Sequence, residues 1–220
     1  MMMPSSFYKV RYSWALLLLT LATLLSLQGC GREVGYNAIP RGSVVLAFGD
    51  SVTHGTGAGP DEGYPAHLAA LSGWDIRNHG VPGDTAGNAR NRIAQALEET
   101  NPALVIIELG GNDFLRRRPE AVVKEDLRVI ITAAKKTGRP VVLVGVPRLA
   151  LLAAAVGALS DSPIYAELAG EENVVLIEEV FSEILSTPAL KADQIHPNRE
   201  GYIKLAEGIA TTLRSSGLLR

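Results

Sequence analysis

Val44-Val45-Leu46-Ala47-Phe48-Gly49-Asp50-Ser51 is the stretch that decides how this chain is read. An unbroken apolar run of strand length, with no alternation, is the pattern of a strand buried on both faces of a parallel sheet. The run stops at Gly-Asp-Ser. In open α/β sheets, ligands bind just outside the carboxyl ends of such strands. A serine placed there stands where chemistry is usually done. Gly, Asp and Ser also favour turns and helix caps, and the triplet taken alone is better explained that way. The rest of the chain reverses the balance.

Four further segments read as strands: Trp74–His79, Ala103–Leu109, Val141–Val146 and Val174–Ile177. Between them lie stretches with helical spacing of apolar residues. Tyr64–Leu71 offers Leu68 and Leu71. A helix capped by Asp84 or Thr85 offers Ile93, Ala94 and Leu97. Pro119–Thr137 offers Val122, Val123, Leu127, Ile130 and Ile131, and Gly201–Leu213 offers Ile203, Leu205, Ala206 and Ile209. Strands alternating with helices imply right-handed parallel crossovers and a sheet covered on both faces. The expected fold is α/β, a three-layer αβα sandwich with about five parallel strands in a flavodoxin-like arrangement.

At 220 residues the chain supports one such domain with a sizeable core. The formal net charge is −2; beyond residues 1–29 there are 19 basic against 23 acidic residues. Nothing in that balance argues for binding nucleic acid. Cys30 is the one cysteine, so no internal disulfide forms, and no Cys/His cluster has zinc spacing. The loop Val52–Gly63 is rich in glycine, but its glycines at 55, 57 and 59 miss the dinucleotide spacing and no Gly-Lys-Ser/Thr follows. No metal and no cofactor is expected.

Residues 1–29 read as an export signal. Lys9 and Arg11 precede a 14-residue apolar stretch, Trp14–Leu27, shorter than the ~20 residues that span a bilayer. The Leu27-Gln28-Gly29-Cys30 that follows resembles a bacterial lipobox, which implies a lipid on Cys30 and an exported lipoprotein on the periplasmic face of a membrane. Gly31 after the cysteine leans towards the outer membrane by the same resemblance. Residues 30–42 read as a tether and 43–220 as the domain.

Three strand ends carry small polar groups: Gly49-Asp50-Ser51, Gly83-Asp84-Thr85 and Gly111-Asn112-Asp113. In a parallel sheet these ends share one edge. A fourth cluster, Asp193-Gln194-Ile195-His196-Pro197, precedes the last helix. A histidine three residues after an aspartate can donate Nδ1–H to that carboxylate, which leaves Nε2 free to take a serine proton. The strained Gly-x-Ser-x-Gly elbow of ordinary α/β-hydrolases is absent.

Together these blocks resemble the SGNH (GDSL-type) hydrolase family, from about Val44 to Leu213. Glu108-Leu-Gly-Gly-Asn-Asp113, Asp193-Gln-Ile-His-Pro-Asn198 and Glu62-Gly-Tyr-Pro65 look closest to its thioesterase I/arylesterase branch. The resemblance implies Ser51 as nucleophile, His196 as general base, and Asp193 as the group orienting His196. It implies an oxyanion hole made by the backbone N–H groups of Ser51 and Gly83 and the side-chain amide of Asn112; Gly80 stays open as the alternative to Gly83. The implied activity is hydrolysis of carboxylic esters, thioesters or lysophospholipids through an acyl-enzyme on Ser51. The rival readings are a carbohydrate O-deacetylase and a non-catalytic envelope binding protein. Asp50 is expected to serve structure, and His54, His67 and His79 to have no catalytic part. Arg116–Arg118 read as a solvated approach to a helix, and Leu149–Leu159 as helix core rather than acyl pocket.

Overall fold

β1 (Val44–Gly49) is hydrogen-bonded on both sides, to β2 (Asp75–Gly80) and to β3 (Leu104–Glu108), which is why its apolar run has no polar alternation. This computed structural model describes residues 36–148 and 159–220. β4 (Val141–Val144) and β5 (Val175–Ile177) complete a sheet of order β2-β1-β3-β4-β5 with every pair parallel. β3 and β4 are buried along their whole length, whereas the edge strand β2, Asp-Ile-Arg-Asn-His-Gly, is largely exposed. Val45, Leu46, Ala47 and Phe48 are fully buried; each of the larger ones contributes roughly 1.5–3 kcal/mol by leaving water.

Along the described chain the helices are α1 (Ser51–His54), α2 (Tyr64–Ser72), α3 (Ala86–Ala89), α4 (Ile93–Thr100), α5 (Gly111–Leu115), α6 (Glu120–Lys135), α7 (Ile164–Glu172), α8 (Val180–Ser186) and α9 (Arg199–Ser215). α9 packs on α2 and α8, and α6 packs on α3, α4 and α7, giving one helical layer on each face of the sheet. The fold class is the expected one. The order places a reversal of direction at β1 and β3, whose carboxyl ends therefore flank a crevice.

Local details depart from the sequence reading. The helix expected after Asp84–Thr85 is two helices: Thr85 caps α3 by accepting from Asn88 N–H, and α4 starts afresh at Ile93. The inner residues of α4 are Ile93, Ala96 and Leu97, with Ala94 exposed. Leu71 and Val122 also face water while Leu68 and Val123 are buried. α7 and α8 occupy a region where no helix is expected; α8 buries Phe181, Ile184 and Leu185 within only seven residues, too short a window for the period to stand out. The apolar segment 149–158 and the export signal with Cys30 lie outside the described residues.

Tyr36–Gly42, the end of the expected tether, rests on the amino edge of the sheet. Ile39 N–H donates to Leu218 O at 2.9 Å, Gly42 N–H to Gly73 O at 2.7 Å, and Trp74 Nε1–H to Ile39 O at 3.2 Å.

Candidate active site

Asp50 leaves β1 and caps α1, its Oδ1 accepting Val52 N–H at 3.0 Å. Ser51 is the first residue of that helix and is buried, so the cap and the candidate nucleophile are neighbours rather than rivals for one role. The turn is tight enough to demand glycine at the strand ends. A Cβ on Gly49 would lie 1.9 Å from Thr53 Oγ1, and one on its β2 partner Gly80 would lie 2.2 Å from His54 N. Arg92 closes the turn from the side. It donates to Gly49 O at 2.7 Å, His79 O at 2.9 Å and Asp84 Oδ2 at 2.7 Å, and its guanidinium lies 4.0 Å from the centre of the Phe48 ring.

His196 reaches the serine from the loop before α9. Its Nε2 lies 3.0 Å from Ser51 Oγ, and its Nδ1 lies 2.7 Å from Asp193 Oδ2. A carboxylate only accepts, so Nδ1 carries the proton and Nε2 accepts from the serine hydroxyl. Asp193 Oδ1 meanwhile accepts the N–H groups of Ile195 at 2.8 Å and His196 at 2.9 Å. Partial burial alone would raise the Asp193 pKa; the hydrogen bonds from His196 and Ile195 outweigh it and hold the carboxyl below its ordinary value. His54, His67 and His79 make no bond to Ser51.

The glycine-rich loop after α1 explains how the histidine gets so close. Gly57, at φ +98°, leaves no room for a side chain: a Cβ there would lie 2.5 Å from Pro197 O and 3.2 Å from His196 Cβ. Tyr202 Oη–H donates to Thr56 O at 2.6 Å, and Arg199 pairs with Glu62 at 3.0 Å, so the two loops are clasped.

On the other side of the serine, Asn112 lies in the first turn of α5 and donates from Nδ2 to Asp50 Oδ2 at 3.0 Å. A primary amide has two N–H groups, so one remains for a ligand. Gly83, at φ +79°, has no acceptor for its N–H among the described residues, whereas Gly80 N–H donates to Asn78 Oδ1 at 2.9 Å. Gly83 does not line the cavity beside Ser51. Its loop is held from the β3 side: buried Asp113 accepts Ala86 N–H at 2.9 Å and pairs with Arg118, which also binds Asp126 at 2.7 Å, while Arg116 donates to Gly83 O at 3.0 Å. Arg118 is thus a structural tie, whereas Arg116 and Arg117 stay exposed as the solvated approach expected there.

The cleft beside Ser51, about 340 Å³ when the solvent it opens onto is included, has an apolar wall of Leu115, Val146, Pro147, Phe181, Leu185 and Ile195. Ser51, Asn112 and His196 lie on its rim, with Asp50 and Glu108 beneath. Burial pushes the Asp50 carboxyl up to about 6, against the Val52 and Asn112 hydrogen bonds. Burial, reinforced by the charge of Asp50, pushes Glu108 well above the ordinary carboxyl range. Sequence reading gave Glu108 and Arg92 no role. The available signal was a carboxyl at the end of an otherwise apolar strand, where only a partnered or neutral acid is stable.

A parallel αβα sandwich with serine, imidazole and carboxylate in line at its carboxyl edge is the frame of a serine hydrolase. The GDSL-like lipase/acylhydrolase family profile matches residues 47–203, and the chain belongs to that family as a GDSL-type ester hydrolase. It is 30% identical over 203 residues to the esterase TesA of Pseudomonas aeruginosa, covering 86% of this chain and 97% of that one. It is 32% identical over 180 residues to an arylesterase of Vibrio mimicus, covering 77% and 87%. The crystal structure of TesA superposes with a TM-score of 0.67 at 29% identity, covering 79% of this chain and 99% of that one.

Proposed function

We propose that this hydrolase works through an acyl-enzyme on Ser51, with His196 as general base and Asp193 orienting the imidazole. The observation that carries the reading is the continuous path from Asp193 Oδ2 through the ring to Ser51 Oγ, at 2.7 and 3.0 Å. Ser51 Oγ attacks the ester carbonyl as its proton passes to His196 Nε2. The tetrahedral intermediate collapses, and the departing alcohol or thiol takes that proton. Water then attacks the acyl-enzyme, again giving its proton to Nε2, and free acid leaves.

The oxyanion is read as held by Ser51 N–H, the unspent N–H of Asn112 and Gly83 N–H. The uncommitted Gly83 N–H and the committed Gly80 N–H favour Gly83 for this part. The apolar wall suits an acyl chain, and relatives named esterase and arylesterase point the same way. We read the substrates as short- to medium-chain carboxylic esters, thioesters or lysophospholipids. We read the protein as exported and lipid-anchored through Cys30, with the outer membrane as its site. Palmitate labelling lost in Cys30→Ser would support the anchor; unchanged labelling would remove it.

A fluorophosphonate probe tests the core reading. Wild type is labelled and Ser51→Ala is not; equal labelling of both removes the nucleophile. A chain-length series of p-nitrophenyl esters, run beside acetylated glycans, sets the substrate class. Preference for the glycans would turn the assignment to an O-deacetylase.

A further inference from the structure

Glu108 sits under the cavity with 1% of its surface exposed. Its Oε2 accepts the Thr53 hydroxyl at 3.0 Å, and Thr53 Oγ1 is in turn 3.2 Å from Tyr64 Oη. Its Oε1 is shielded from water, and no donor reaches it. The Asp50 carboxyl, itself 2% exposed, lines the same cavity and follows Gly49, the residue of β1 that stands opposite Glu108. Two carboxylates cannot donate to each other, so a hydrogen bond between them requires a proton on one. Asp50 receives two donors, Val52 N–H and Asn112 Nδ2–H, both at 3.0 Å; Glu108 receives one at ordinary hydrogen-bond length, the Thr53 hydroxyl. Hydrogen bonds to a charged carboxylate favour the charged form, so the negative charge belongs on Asp50 and the proton on Glu108.

We infer that Glu108 is a positioning residue: a neutral carboxylic acid that donates from Oε1 to Asp50, and through Asp50 fixes the Asn112 amide and the first turn that carries Ser51. The orphaned oxygen then has a partner, as buried polar atoms need. Asp50 gathers three donors, the arrangement that keeps a buried carboxylate in one place. The role rests on the serine-hydrolase reading; the protonation state does not. The titratable groups facing the pair are His196, on the loop before α9, and Tyr64, Tyr165 and Tyr202 from α2, α7 and α9. Burial raises all three tyrosines above their ordinary range, so none adds charge near neutral pH.

Infrared difference spectra of Glu108→Gln against wild type at neutral pH read the proton directly, with no substrate. A neutral-carboxyl C=O band present in wild type and missing in the variant is expected; its absence from wild type overturns the inference. Kinetics read the positioning. Glu108→Leu lowers kcat by about 10- to 100-fold, the scale of one lost hydrogen bond to a charged group, with KM nearly unchanged. Glu108→Gln, whose amide donates to Asp50 and whose carbonyl accepts from Thr53, restores most of that loss. A Glu108→Gln loss as deep as that of Glu108→Leu, in folded protein, overturns the role. Fluorophosphonate labelling of Ser51 separates that failure from a failure of the hydrolase reading.

Discussion

Ser51 stands on the end of a central strand, with Asp50, Thr53 and Glu108 buried around it and glycines beneath. His196 stands on a surface loop, and its Asp193 partner leaves 54% of its side chain in water. The first half of the site is placed by the sheet and can move only if the core moves. The second half is placed by a few local bonds and by the fit of Gly57 under Pro197. Asp193 does two jobs there, one oxygen shaping the loop and the other holding the ring. Substitutions on the strand side should therefore act through chemistry or global stability, whereas loop substitutions should act through the position of one ring.

Asp193→Asn keeps an oxygen for the loop N–H groups but offers the ring an amide donor, which favours the wrong tautomer. It should lower kcat by on the order of 10³–10⁴-fold with the unfolding midpoint nearly unchanged. Loss of fold together with activity would blur the division between the halves. Asn112→Ala removes one donor from the strand side and should lower kcat by about 10²–10³-fold with KM little altered; near-normal turnover would take Asn112 out of the oxyanion hole. Gly57→Ala presses a Cβ against Pro197 O at 2.5 Å. Displacing the ring by under an ångström should lower kcat by about 10-fold while fluorophosphonate still labels Ser51 slowly. Full-speed turnover would show that the loop adapts.

The smallest expected effect is a pH slope in stability. Asp50 keeps its proton up to about 6 in the folded protein but to 3.8 unfolded. Between those values the unfolded chain releases a proton that the folded chain retains, so rising pH erodes stability. Asp193, held below 3.8, acts in the opposite sense and matters only at lower pH. Urea midpoints at pH 4, 5 and 6.5 should fall with pH in wild type; Asp50→Asn should remove part of that fall, and Glu108, held neutral by burial, should keep the rest. A slope unchanged by the substitution would place the effect elsewhere.

The strand half was legible because burial on both faces leaves no polar residue in β1 and none in β3 before its last, Glu108, and the pattern ends where the polar triplets begin. The histidine was legible because its orienting acid is three residues away, within one loop. What escaped was long-range: Arg92 bonding to Gly49 across 43 residues, Asp113 to Ala86 across 27, and Glu108 to Thr53 across 55. Such partners carry no local period, and an arginine or glutamate in isolation reads as solvated surface. α8 escaped for a different reason, since seven residues give barely two turns of pattern.

The backbone joins the domain at the amino ends of the strands, where Ile39 and Gly42 are bonded, and the reacting groups lie beyond the carboxyl ends. A six-residue strand separates the two, about 20 Å. Substitutions around Ile39 and Gly42 can therefore alter how the chain enters the domain without touching the groups that react.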